Sequence, residues 1–138
     1  MLVKSYRLSD RNLWNKINED FLDRGGIYRL YCIDQEQQVV VTHRLIKADP
    51  TGTLYIGKAT SFLDRVINLK KSIAPEYKSS GHACGVRYKG LDCISTTFPY
   101  DNLMIELRRC EDPASYEKEL LKQYEWKFGE LPPLNRYR

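Results

Sequence analysis

No run of apolar residues in this 138-residue chain approaches the roughly 18 to 20 needed to span a bilayer, so no membrane insertion is expected. The first ten residues mix Lys4, Arg7 and Asp10 with single apolar residues and lack the apolar centre of a secretory signal, which points to a cytoplasmic protein. Cysteine is scarce and scattered. Cys32, Cys84, Cys93 and Cys110 form no Cys-x-x-Cys pair and have no neighbouring His pair, which argues against a zinc site. Without a signal segment a disulfide framework is not expected either, and the four read as small core residues. Internal repeats, low-complexity tracts and linker-like stretches are also missing, so one domain over residues 1–138 is expected.

Hydrophobic residues at 42% and charged residues at 29% are a globular composition. The net charge of +4 is modest but unevenly placed: Lys58 to Gly90 holds seven Lys or Arg against Asp64 and Glu76, an excess of five. Such a stretch suits a polyanion, although solvated faces also carry excesses of this size.

Periodicity predicts an α/β (α+β) arrangement. Ser9 to Leu22 places Leu13, Trp14, Ile17 and Phe21 at helical spacing behind Ser9 as a cap, and Gly25-Gly26 ends it, so residues 1–24 read as an N-terminal helix. Ile27 to Ile33 and Val39 to Thr42 read as strands, and turn chemistry at Asp49 to Gly52 precedes a third at Leu54-Tyr55-Ile56. Ser61 to Asp64 has capping-box spacing ahead of Phe62, Val66, Leu69 and Ile73 at helical period. Residues 74 to 102, with Pro75, Pro99 and several glycines, read as a long loop with a short strand near Val86 to Tyr88. Leu103 to Arg108 is a further strand. Asp112-Pro113 opens a last helix that ends by Gly129.

On that frame lie Gly26-Ile27-Tyr28 and Tyr55-Ile56-Gly57, both on predicted strands. They are followed in order by Lys58, Arg65 in the next helix, a glutamate in the last helix, and Pro132-Pro133-Leu134-Asn135. In this order the chain resembles the GIY-YIG nuclease family over about residues 25 to 135. The resemblance implies a small mixed, mainly antiparallel central sheet flanked by helices, with the two tripeptides on adjacent strands. It further implies a metal-dependent DNA endonuclease that leaves a 5′-phosphate and a 3′-hydroxyl. Twenty-six residues separate Tyr28 from Tyr55, far more than in compact members, so Arg29 to Leu54 includes an insertion of the kind seen in restriction-type members.

Phosphodiester hydrolysis needs an activated water and stabilisation of charge on the phosphoryl and leaving oxygens. The resemblance makes Tyr28 the general base with Tyr55 beside it. A free tyrosine is only about 0.1% ionised at pH 7, so that role needs a cation such as Lys58 or the metal to lower its pKa. Outside this company two strand tyrosines would read as core. Arg65, at the edge of its helix's apolar stripe, could clamp the scissile phosphate through its planar fork; a surface helix arginine is the plain alternative. For the metal ligand, helical phase aligns Glu117 with Leu120, Leu121, Tyr124 and Phe128 on the buried face, whereas Glu119 phases with Lys122 and Gln123. Glu117 is therefore assigned to Mg²⁺ or Mn²⁺, completed by water and substrate phosphate.

Asn135, by resemblance, orients the catalytic groups or contacts phosphate; otherwise it is a loop residue after a proline pair. His82 is a candidate second proton-transfer or phosphate-contacting group, since some relatives place a histidine after the arginine, while a lone loop histidine more often faces solvent. Lys70, Lys71, Lys78, Arg87 and Lys89 carry the positive charge expected of DNA-backbone positioning, which gives affinity without sequence information. The competing reading is a non-catalytic nucleic-acid-binding module or nuclease-assembly subunit on the same fold. The sequence ends three residues past Asn135, so DNA specificity is expected from the N-terminal helix, the insertion, the loop after Ile73, a homodimer or a separate partner.

Overall fold

The computed structural model describes residues 2–77 and 82–136. Its centre is a four-stranded antiparallel sheet in the order β1 (Val3–Arg7), β6 (Leu103–Arg109), β2 (Gly26–Cys32), β5 (Tyr55–Ala59). Strand alternation sends Tyr28, Leu30 and Cys32 of β2, with Leu103, Ile105 and Leu107 of β6, to one face. There they meet Leu13, Ile17 and Phe21 of α1 (Leu13–Phe21) and Phe62, Val66, Leu69 and Ile73 of α2 (Phe62–Ile73) in the main core. Phe21 and Phe62 lock the two helices edge to face at 4.9 Å. Each such side chain contributes about 1.5–3 kcal/mol on burial. The opposite face carries Ile27 and Ile56, covered by Leu121 of α5 (Pro113–Phe128). The protein is thus a mixed α+β fold, a sheet between two helical layers.

Several local expectations are met. Asp112 accepts a hydrogen bond from the Ser115 N–H at the start of α5, Pro113 sits in its first turn, and Gly129 closes it at φ 85°. Others need correction. Residues 1–24 are not only a helix: β1 adds an edge strand to the sheet, and its single buried side chain, Tyr6, is too weak a pattern to betray it. α1 starts at Leu13 behind Asn12, not Ser9, and Trp14 is exposed because it lies about 100° round the helix from Leu13. Ser61 precedes α2 in extended backbone but its side chain makes no capping hydrogen bond. The strand expected at Val39 to Thr42 shrinks to an isolated Ile33–Val39 bridge and a two-residue ladder between β3 (Thr42–His43) and β4 (Ala48–Asp49).

The largest correction concerns residues 82–102. Instead of a loop with a strand, they form α3 (Ala83–Gly90), α4 (Asp92–Thr97) and a short 3-10 turn at Tyr100–Asn102. α3 packs Cys84, Gly85 and Tyr88 inward. All four cysteines are free; Cys32 and Cys84 are core residues, Cys93 is exposed and Cys110 half-buried. No helix among the described residues is long and apolar enough to cross a membrane.

Candidate active site

The two glycine-tyrosine tripeptides face each other across the β2–β5 ladder, where Tyr28 stands opposite Gly57. A Cβ on Gly57 would lie 2.4 Å from Tyr28 Cζ and 2.5 Å from its hydroxyl oxygen, so the missing side chain is the space that the tyrosine ring occupies. On the other side of β2, a Cβ on Gly26 would strike the Arg108 carbonyl of β6 at 2.1 Å. Each tripeptide's glycine therefore answers a close approach by a neighbouring strand.

β5 is the sheet edge, and its outward main chain is covered by residues that the sequence singled out. The Asn135 side chain accepts from Ile56 N–H at 2.9 Å and donates to Ile56 O at 3.0 Å, as a neighbouring strand would, while Leu134 N–H donates to Leu54 O. Two positions further on, Lys58 faces the Glu117 carboxylate, and its charge draws the carboxyl pKa down against burial. Asn135 thus acts on the strand that carries Tyr55, holding its main chain in place.

Beside this edge lies a cavity of about 530 Å³ lined by Tyr28 and Tyr55 from the sheet, Lys58 from the end of β5, Arg65 from α2 and Glu117 from α5. Tyr28 has no exposed surface and closes the floor; Tyr55 is half-buried in front of it, their ring centroids 5.9 Å apart. Asp64, Asn68 and Asp112 complete the wall. Sequence reasoning treated Asp64 and Asp112 as helix-start residues and passed over Asn68. The signal that could have found Asp64 and Asn68 is their phase, one turn apart on α2 beside Arg65.

Burial dominates the electrostatics. It raises the Tyr28 pKa well above its ordinary value, with the adjacent Tyr55 adding to the rise and the Arg65 guanidinium opposing it. Burial also pushes Tyr55 up to about 12, again against Arg65. Burial raises the Glu117 pKa, and Lys58 and Arg65 are the charges that draw it back down. Both hydroxyls are protonated at neutral pH in the resting protein.

His82 corrects a sequence reading. It is 1% exposed, its Nε2 lies 2.9 Å from Tyr28 Oη, and its ring stands edge-on to Tyr55 at 5.4 Å. Burial, aided by Arg65, lowers its pKa to about 4. It sits at the start of α3, which explains why a residue among glycines and serines is not in solvent. Family models, curated proteins and solved structures yielded no match to this chain.

Of the predicted phosphate-positioning residues, Lys70, Lys71, Arg87 and Lys89 do not line the cavity. Lys70 donates to Asp10 O, Arg87 to Pro133 O and Lys89 to Tyr77 O, so each ties two segments together. Lys71 is exposed, and Lys78 lies outside the described residues. Glu119 is exposed and accepts from Gln123, as helical phase predicted. Among the described residues no three His, Cys, Asp or Glu side chains cluster as a ready-made cation site.

Proposed function

We propose that the protein is a metal-dependent DNA endonuclease of the GIY-YIG type. One observation carries the reading: Tyr28, Tyr55, Lys58, Arg65 and Glu117, drawn from two strands and two helices, line a single cavity. Residues far apart in sequence converge on a set that fits phosphodiester hydrolysis. Arg65 binds the scissile phosphate through two parallel N–H donors and keeps its charge throughout. Water attacks phosphorus, the P–O3′ bond breaks, and a 5′-phosphate and a 3′-hydroxyl are left. A tyrosine of the pair that has first released its proton to solvent takes the attacking water's proton, and the departing oxygen takes a proton from solvent.

The residues fit a divalent cation. Glu117 is a half-buried carboxylate whose negative charge is under-compensated, since burial raises its pKa despite Lys58 and Arg65. One or two carboxylates with water and substrate phosphate is the usual ligand set for Mg²⁺, and Mn²⁺ accepts the same oxygens. When bound, the ion would neutralise charge developing on the phosphoryl and leaving oxygens.

The test is cleavage of plasmid, branched and single-stranded DNA with Mg²⁺ or Mn²⁺. Wild type should cut. Glu117→Ala should abolish cutting, Arg65→Ala should lower the rate by about 10²- to 10³-fold, and Glu119→Ala should stay active. Wild type inert on every substrate, or Glu117→Ala cutting equally well, overturns the proposal. DNA binding without cleavage would favour the non-catalytic module.

A further inference from the structure

His82 carries information beyond its place in the cavity wall. Its Nδ1 accepts a hydrogen bond from the Cys84 main-chain N–H at 3.1 Å. A main-chain N–H can only donate, so Nδ1 holds a lone pair, and in a neutral imidazole the single proton is then on Nε2. That nitrogen is the one 2.9 Å from Tyr28 Oη, so the contact runs from His82 Nε2–H to the tyrosine oxygen. The Arg65 guanidinium also lies near enough to draw the Tyr28 pKa down against burial. Tyr28 Oη is thus the acceptor for His82, and its ring lies beside that of Tyr55, the centroids 5.9 Å apart.

We infer that His82 is fixed as its Nε2–H tautomer and serves as an uncharged positioning residue that donates a hydrogen bond to Tyr28. The inference rests on the nuclease reading for its consequence. His82 is not the proton acceptor for Tyr28. A fixed donor on Tyr28 Oη holds that ring in place and opposes, on that oxygen, part of the cost that burial sets on negative charge. A tyrosine of the pair, after losing its proton to solvent, is then the group that takes the attacking water's proton as the oxygen–phosphorus bond forms. Among the described residues, the charged and titratable groups that face His82 include Tyr28 from β2, Tyr55 from β5, Arg65 from α2 and the Cys84 thiol from its own helix. Arg65, the nearby cation, works with burial to keep the imidazole neutral, and the low pKa of about 4 follows.

The tautomer is measured on the resting protein by long-range ¹H–¹⁵N NMR of the imidazoles, with His82 assigned by loss of its signals in His82→Gln; exposed His43 supplies the other set. Expected are an Nε2–H neutral imidazole from pH 6 to 8 and a shifted Nε2 resonance in Tyr28→Phe. An Nδ1–H tautomer or an imidazolium in that range overturns the inference. In cleavage assays His82→Ala should lose about tenfold or more in kcat with little change in KM, and His82→Gln, which keeps a donor near Nε2, should recover most of it with an unaltered pH profile. A His82→Gln profile lacking the wild-type acid limb would mark His82 as a base and overturn it. Because the spectrum needs no substrate, an inert wild type sinks the nuclease reading while the tautomer is still decided.

Discussion

A methyl group at Gly57 cannot coexist with the present position of Tyr28, whose ring atoms would be 2.4 to 2.8 Å away. Gly57→Ala should therefore push the ring off the strand, destabilise the fold by about 1–3 kcal/mol in urea unfolding, and reduce cleavage, because the displaced hydroxyl leaves His82. Unaltered stability would mean that the ring has somewhere else to go. A second residue-scale effect concerns acid. Folded His82 takes a proton only near pH 4, against an ordinary value of 6.5. Between those values the unfolded chain binds more protons than the folded one, so stability falls as pH drops through the window. His82 should contribute on the order of 2 kcal/mol to this loss. Urea unfolding of wild type and His82→Gln at pH 7, 5.5 and 4.5 checks it: the variant's dependence should be flatter, and parallel curves would refute the claim.

At the scale of elements, the edge strand β5 depends on residues far from it. Asn135→Ala removes both hydrogen bonds to Ile56 and should cost about 1–2 kcal/mol. Hydrogen exchange at the Ile56 amide should quicken several-fold while amides of the β2–β6 ladder stay slow; uniform behaviour would show that the edge holds without its clamp. Elements with a strong period were legible in the sequence: α2 and α5 through their apolar stripes, β2 and β6 through alternation. α3 was not, because its inward residues are Cys84, Gly85 and Tyr88, and a glycine seated against Ser72 gives no hydrophobic signal. For the same reason His82 looked like a loop residue although it is buried at the head of that helix. The cavity set was legible from motif order and from the phase of Glu117, whereas the rise in tyrosine pKa was not. That rise depends on burial by α2 and α3, which only packing reveals.

For the molecule as a whole, the insertion between the two tripeptides is docked onto the helix that also supplies Glu117. Asp49, 1% exposed, accepts from Thr51 N–H and Oγ1, from Thr53 N–H, and from the Tyr124 hydroxyl of α5 at 2.8 Å. These donors hold its pKa below the usual carboxylate range against burial. Further along, Ile46 N–H donates to Phe128 O. Tyr124→Phe removes one donor from a buried carboxylate and leaves the ring's packing against Phe128 intact. The expected cost is about 1–3 kcal/mol. If the insertion is a separable layer, the loss should be local: limited proteolysis within residues 33 to 54 should quicken while the proposed DNA cleavage, assigned to Glu117 two turns up α5, changes by less than about threefold. A collapse of cleavage with unchanged proteolysis would instead mean that Asp49 and Tyr124 set the position of α5 over the sheet, making the insertion part of the catalytic frame.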